Sequence, residues 1–137
     1  MTSTGGCLCG AVRFTIASEM REVSFCHCKQ CRKQTGFYLA SIGATDAELS
    51  VEGGDHVRWY ASSEDAKRGF CDRCGSILFW KRDGSEHTSI TAGALDDGSV
   101  LQPKRHIFVE NKPDWYTVSD GLPRYARSSR NAEPLAE

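Results

Sequence analysis

Val12, Phe14 and Ile16 alternate with Arg13 and Thr15. That two-residue period belongs to a strand with one face buried. Val23 and Phe25 repeat the period and lead into a dense cysteine run. Residues 37–44 (FYLASIGA), 47–53 (AELSVEG) and 56–62 (HVRWYAS) read as three more strands. Residues 76–81 (SILFWK) and 87–94 (HTSITAGA) predict a hairpin across residues 82–85, where Asp83-Gly84 is a turn signal. Residues 95–99 (LDDGS) form another turn, and residues 106–109 (HIFV) a last short strand, with Pro103 and Pro113 in flanking loops. Helical signal is confined to residues 29–35, a short stretch stopped at Gly36. From about Arg127 the chain is polar and loses its apolar period, so residues 127–137 are expected to form a mobile tail. The outline is all-β, with one domain over residues 1–126 and no internal boundary or long repeat.

Composition narrows the function classes. The chain has 137 residues, enough for one modest core. Its net charge of -1 gives no global attraction to nucleic acid or to an anionic membrane. No apolar run approaches a membrane span. The opening MTSTGGCLCG lacks the apolar core of a signal peptide, so a cytoplasmic location is expected.

Seven cysteines are many for such a location, and an odd number cannot all pair. A reducing compartment also disfavours structural disulfides. The thiols fall into three tight groups: Cys7 and Cys9; Cys26, Cys28 and Cys31; Cys71 and Cys74. Such spacing suits a metal, because a short knuckle aims its sulfurs at one centre. If each group stays on one metal, only Cys7 and Cys9 with Cys71 and Cys74 sum to four. Four thiolates make a closed tetrahedral site, the usual structural arrangement for zinc, and iron ranks behind it for want of a redox partner. A site of this kind contributes about 10–16 kcal/mol in small zinc peptides, enough to decide whether a small domain folds. Gly10 and Gly75 follow the two pairs and let the backbone turn back, so that amides can donate to the sulfurs.

Cys26, Cys28 and Cys31 are left as a set of three. Three thiolates leave zinc a coordination position open to water, substrate or a visiting thiol. His27 is the near candidate to close it, but in an extended segment it points away from Cys26 and Cys28. His56, His87 and His106 stay open as distant alternatives. Lys29, Arg32 and Lys33 crowd this run; they could offset thiolate charge, hold substrate carboxylates, or simply form a solvated turn. Thiolate donors make zinc a weaker Lewis acid than histidine donors do. That favours stabilising an incoming thiol over making hydroxide from water. Phe37 and Tyr38 are candidates to line the open site or to pack in a core, and Trp59, Trp80 and Trp115 are read as core or pocket wall. Asp96 and Asp97 read as turn residues before general bases.

The ordered elements GGCLCGAVRF, FCHCKQCRK, GFCDRCGSILFW, TAGALDDGS and PKRHIFV, with a later tryptophan, resemble the glutathione-dependent formaldehyde-activating enzyme family, which includes centromere protein V. The resemblance covers residues 5–115. It implies a β-tent fold of short antiparallel strands around zinc–cysteine sites. It matches Cys7, Cys9, Cys71 and Cys74 to the structural ligands, and Cys26, Cys28 and Cys31 to the second, catalytic zinc. It also implies a carbon–sulfur lyase that joins formaldehyde to glutathione as S-hydroxymethylglutathione. The chain is shorter than the family's namesake, and shared cysteines do not fix the substrate.

The expected function is therefore a zinc-dependent carbon–sulfur lyase with two zinc ions per chain, handling a small thiol and a small aldehyde. The alternative is a non-catalytic zinc module that scaffolds or binds a partner. Nucleic-acid association, suggested by the centromere protein, finds no charge imbalance to support it.

Overall fold

A computed structural model describes residues 2–18 and 21–136. The described chain is mostly strand with a single α-helix, and it gathers into two compact units. The first comprises Met1–Arg21 and Ile42–Leu101; the second comprises Glu22–Ser41 and Gln102–Glu137. No helix among the described residues is long and apolar enough to cross a membrane.

In the first unit, β1 (Ser3–Gly6), β2 (Arg13–Ile16) and β5 (Leu49–Glu52) form an antiparallel sheet with β2 in the middle. The alternation seen in the sequence sends Phe14 and Ile16 into the core beside Val12. β1 carries no apolar period, and its pairing is set by small residues: Gly5 faces Phe14 across the ladder. A second antiparallel array contains β6 (Val57–Ala61), β7 (Ala66–Cys71), β8 (Ile77–Arg82) and β9 (His87–Thr91). β8 and β9 form the expected hairpin, with Phe79 opposite Ile90 and Asp83-Gly84 in the connection. Leu78, Phe79 and Ile90 are buried, and the Phe79 ring meets Phe14 edge-on at 5.9 Å.

β7 has no counterpart in the sequence reading. Its Lys67 and Arg68 break the apolar period, yet Arg68 is buried and Lys67 lies over the Trp59 ring at 4.6 Å. Trp59 sits opposite Gly69, where a side chain on the glycine would meet the indole. The strand expected to run through residue 94 stops earlier, because Ala92–Ala94 tighten into a 3-10 turn.

In the second unit, β3 (Glu22–Cys26) lies between β10 (Gln102–Ile107) and the first residues of β4 (Leu39–Thr45). β4 runs antiparallel to β3, but β10 runs parallel to it, with Ile107 beside Cys26. β10 starts earlier than expected and includes Pro103, which is tolerated because the register slips between Pro103 and Arg105. It also ends earlier: Phe108 adopts a left-handed conformation (φ 57°), which closes the strand. Arg105 is held by Glu22 at 3.2 Å and Ser24 at 2.9 Å on β3. Near the C-terminus the Leu135 amide donates to the Arg124 carbonyl at 2.7 Å.

Gly53 supplies a test of the first unit. Its φ is +73°, and an added Cβ would lie 1.9 Å from the Ala11 carbonyl oxygen. Gly53→Ala is expected to cost at least about 2 kcal/mol, since the left-handed penalty adds to a backbone collision. Chemical denaturation of the two proteins measures the difference.

Candidate metal centres

The Cys7, Cys9, Cys71 and Cys74 sulfurs all lie within 4.8 Å of one another. Two matching turns bring them there. Between β1 and β2, the Cys7 amide donates to Val12 and the Gly10 amide returns to Cys7. After β7, the Cys71 amide donates to Ser76 and the Gly75 amide returns to Cys71. Gly10 and Gly75 have φ of 82° and 78°, which is what lets each turn close under its own sulfurs. Amides then point at the sulfurs: Val12 to Cys7 Sγ at 3.2 Å, and Arg73 to Cys71 Sγ at 3.4 Å. The Ser76 hydroxyl lies 3.2 Å from Cys74 Sγ and accepts from the Leu8 amide, which ties the two turns together.

These sulfurs fit a tetrahedral metal. Four thiolates about 2.3 Å from a zinc ion stand about 3.8 Å apart. Cys7–Cys9 and Cys9–Cys71 are separated by 3.6 and 3.8 Å. Proton affinities in the cluster are strongly divided. Ser76 and the Cys9 amide pull Cys74 down to about 5. Cys9 is pushed up to about 11: the Ala11 amide acts to lower it, but burial and the neighbouring thiols prevail. Burial would raise Cys7, yet the Val12 amide and thiol contacts bring it below its ordinary value. Without a cation the four sulfurs cannot ionise together, and a divalent ion removes that obstacle.

The second group stands on a strand-to-helix junction. Cys26 ends β3, Cys28 caps the helix α1 (Lys29–Thr35), and Cys31 lies in its first turn. The Cys31 amide donates to Cys28 Sγ at 3.3 Å. The three sulfurs lie within 4.8 Å of one another. Cys26 is pushed strongly upward by Cys28 and Cys31, with burial adding to the effect. α1 carries Arg32 and Lys33 in its last turn and no acidic residue in its first.

No histidine or carboxylate joins either sulfur group among the described residues. His27 is buried and turned toward His106, with Nε2 and Nδ1 2.8 Å apart. Burial, then the His106 and Lys112 charges, lower His27 to about 4, so it is neutral at physiological pH. His106 in turn meets Asp120 at 2.8 Å. His56 is paired with Asp72 at 3.0 Å, and His87 is exposed on β9.

Aromatic side chains surround the His27 ring. Phe25, Phe37, Tyr38 and Tyr116 form a connected cluster with it. Trp115 stacks on Phe37 at 5.7 Å while staying 73% exposed. Of the remaining tryptophans, Trp59 stacks on Phe79 at 6.1 Å and Trp80 pairs with Ser89 across the β8–β9 hairpin. Asp96 is a structural anion: Arg13 and Thr4 hold it, and Arg13 Nη1 reaches Oδ1 at 3.0 Å. Asp97 caps its own turn through the Ser99 amide at 2.9 Å. The roles of Tyr116 and Asp120 escaped the sequence reading, since neither belongs to a cysteine group or a periodic segment.

Two outcomes follow from this geometry. Metal analysis is expected to find two equivalents per chain, falling to one in either Cys71→Ser or Cys28→Ser. The first change, in a closed site joining distant turns, should also cost at least about 3 kcal/mol of stability. The second outcome concerns Asp96, lowered to about 2 by Arg13 and then Thr4. A depressed carboxylate favours folding above its unfolded value, and that contribution is lost as pH falls toward 2. Carboxyl NMR titration should place its midpoint there, and Arg13→Gln should return it toward the ordinary range.

Residues 2–111 match the sequence profile of the family described as glutathione-dependent formaldehyde-activating enzyme. A Halomonas elongata protein named "Putative glutathione-dependent formaldehyde-activating enzyme" is 35% identical over 129 residues, covering 86% of this chain and 82% of that protein. An uncharacterized lyase of Schizosaccharomyces pombe is 30% identical over 117 residues, covering 85% of each. A Rhodobacter sphaeroides protein of known crystal structure shares the fold, with a TM-score of 0.58 and 24% identity over 68% of this chain and 87% of that one. Profile and relatives agree, and the chain belongs to the glutathione-dependent formaldehyde-activating enzyme family.

Proposed function

We propose that this protein is a carbon–sulfur lyase that joins a small thiol, glutathione or a relative, to formaldehyde or a similar aldehyde, and splits the adduct in reverse. In this reading Cys7, Cys9, Cys71 and Cys74 hold a structural zinc ion. Cys26, Cys28 and Cys31 hold a second. The observation that carries the reading is the three-sulfur group, which no histidine, further cysteine or carboxylate completes among the described residues. Family membership supports the chemistry, and the relatives' names indicate the substrates.

Held by Cys26, Cys28 and Cys31, zinc would supply positive charge that favours the ionised form of a visiting thiol. The chain's own residues do the rest. Cys26 and Cys28 flank His27 and are fixed by the junction of β3 and α1, and the Cys31 amide restrains Cys28. Lys29, Arg32 and Lys33 give this end of the molecule a positive potential suited to a carboxylate-bearing thiol. In the forward reaction the sulfur lone pair forms the S–C bond and the carbonyl π pair moves to oxygen. The proton given up by the thiol ends on that oxygen, giving a hydroxymethyl thioether with no other product.

Zinc-loaded protein mixed with glutathione and formaldehyde is expected to speed adduct exchange, followed by NMR, at least about tenfold over buffer. Cys28→Ser should remove the acceleration while Cys28→Ser protein stays folded. Absence of acceleration across several thiols would overturn the lyase reading in favour of a non-catalytic zinc module.

A further inference from the structure

Two buried histidines and a carboxylate form a continuous chain that the cysteine chemistry does not use. His27 and His106 are each 1% exposed. His27 Nε2 lies 2.8 Å from His106 Nδ1, and His106 Nε2 lies 2.8 Å from Asp120 Oδ2. Asp120 is held in turn by the Leu122 amide at 3.0 Å. Backbone bonds tie the same three segments together. The His27 amide donates to Ile107 at 3.0 Å, the His106 amide to Pro123 at 2.9 Å, and the Tyr125 amide to His106 at 2.9 Å.

The chain has a direction. A carboxylate only accepts, so His106 Nε2 must carry the proton it shares with Asp120. A proton on the buried His27 Nδ1 would have no acceptor, so the proton between the rings sits on His27 Nε2 and His106 Nδ1 accepts it. Both imidazoles are thereby fixed as the Nε2–H tautomer. His27 Nδ1 is buried and has no hydrogen-bond partner. Reversing the chain would put an unsatisfied N–H at that atom, whereas the forward direction leaves only a lone pair there.

We propose that Asp120 and His106 are positioning residues: their directed hydrogen bonds lock the tautomer and ring orientation of His27 and so fix the backbone between Cys26 and Cys28. The inference rests on the three-thiol group being the working site. His27 is the residue between two of its sulfurs, and both its amide and its ring are bonded to the β10 segment, so the two bonds together hold the backbone that carries Cys26 and Cys28. An aspartate orienting a histidine by accepting its N–H is a recurrent device, and the near-isosteric asparagine defeats it by allowing the opposite tautomer.

The test compares zinc-loaded wild type, Asp120→Asn and Asp120→Glu. In wild type, long-range nitrogen–proton NMR should show a protonated Nε2 and a bare Nδ1 on both His27 and His106. Asp120→Asn should lose that single pattern, lower kcat about tenfold with KM little changed, and release one zinc to a chelator several-fold faster. Asp120→Glu should restore most of each. A protonated Nδ1 on either wild-type ring would overturn the proposal. So would an Asp120→Asn protein with wild-type tautomers, kcat and zinc release. If wild type forms no adduct, the lyase reading falls, and the tautomers and zinc release decide this inference alone.

Discussion

Sulfurs 3.6 to 3.8 Å apart cannot all carry negative charge unless a cation stands among them. This constraint explains much of the first unit. The turns after β1 and β7 are built alike, each with an amide-to-carbonyl closure and a left-handed glycine, because each must aim two sulfurs at one point. Amides directed at Cys7 and Cys71 offset part of the charge that even a divalent ion leaves behind. The strands that carry the turns meet in an apolar core of Phe14, Leu78, Phe79 and Ile90, to which the buried Cys7 and Cys71 also belong. Packing and the sulfur group thus support each other: the core sets the strand directions, and an ion held by the sulfurs would link cysteines 62 positions apart in the chain.

The second unit meets the same constraint differently. One helix end supplies Cys28 and Cys31, one strand end supplies Cys26, and among the described residues no histidine, further cysteine or carboxylate joins them. The protein invests its remaining polar order in the His27 side chain, which is bonded into the fold and turned away from the sulfurs.

How much of this was legible in the sequence depended on distance along the chain. Cysteine spacing is local, so the three groups and their following glycines could be read directly. β2 and the β8–β9 hairpin were also plain, since their periods and turn residues are local. β7 was hidden because its buried Arg68 and the Lys67 resting on Trp59 look like surface charges until β6 is in place. The parallel pairing of β10 with β3 joins residues some eighty positions apart, and nothing in either segment encodes its direction. The His27–His106 contact spans 79 residues, and Asp120 sits in a stretch with no period at all. Each histidine could be named as a candidate, but its partner could only come from the fold.

Shielding within the four-sulfur group is uneven. Cys71 is fully buried and Cys7 nearly so, while Cys9 is exposed. Strength of binding and speed of exchange are separate properties, and the second is governed by the weakest wall. A competing chelator or an oxidant meets Cys9 first, and its departure would free one arm while Cys71 stays embedded in the core. The sulfur group that joins the two turns is therefore also a door, with its hinge on the inside and its latch facing the solvent.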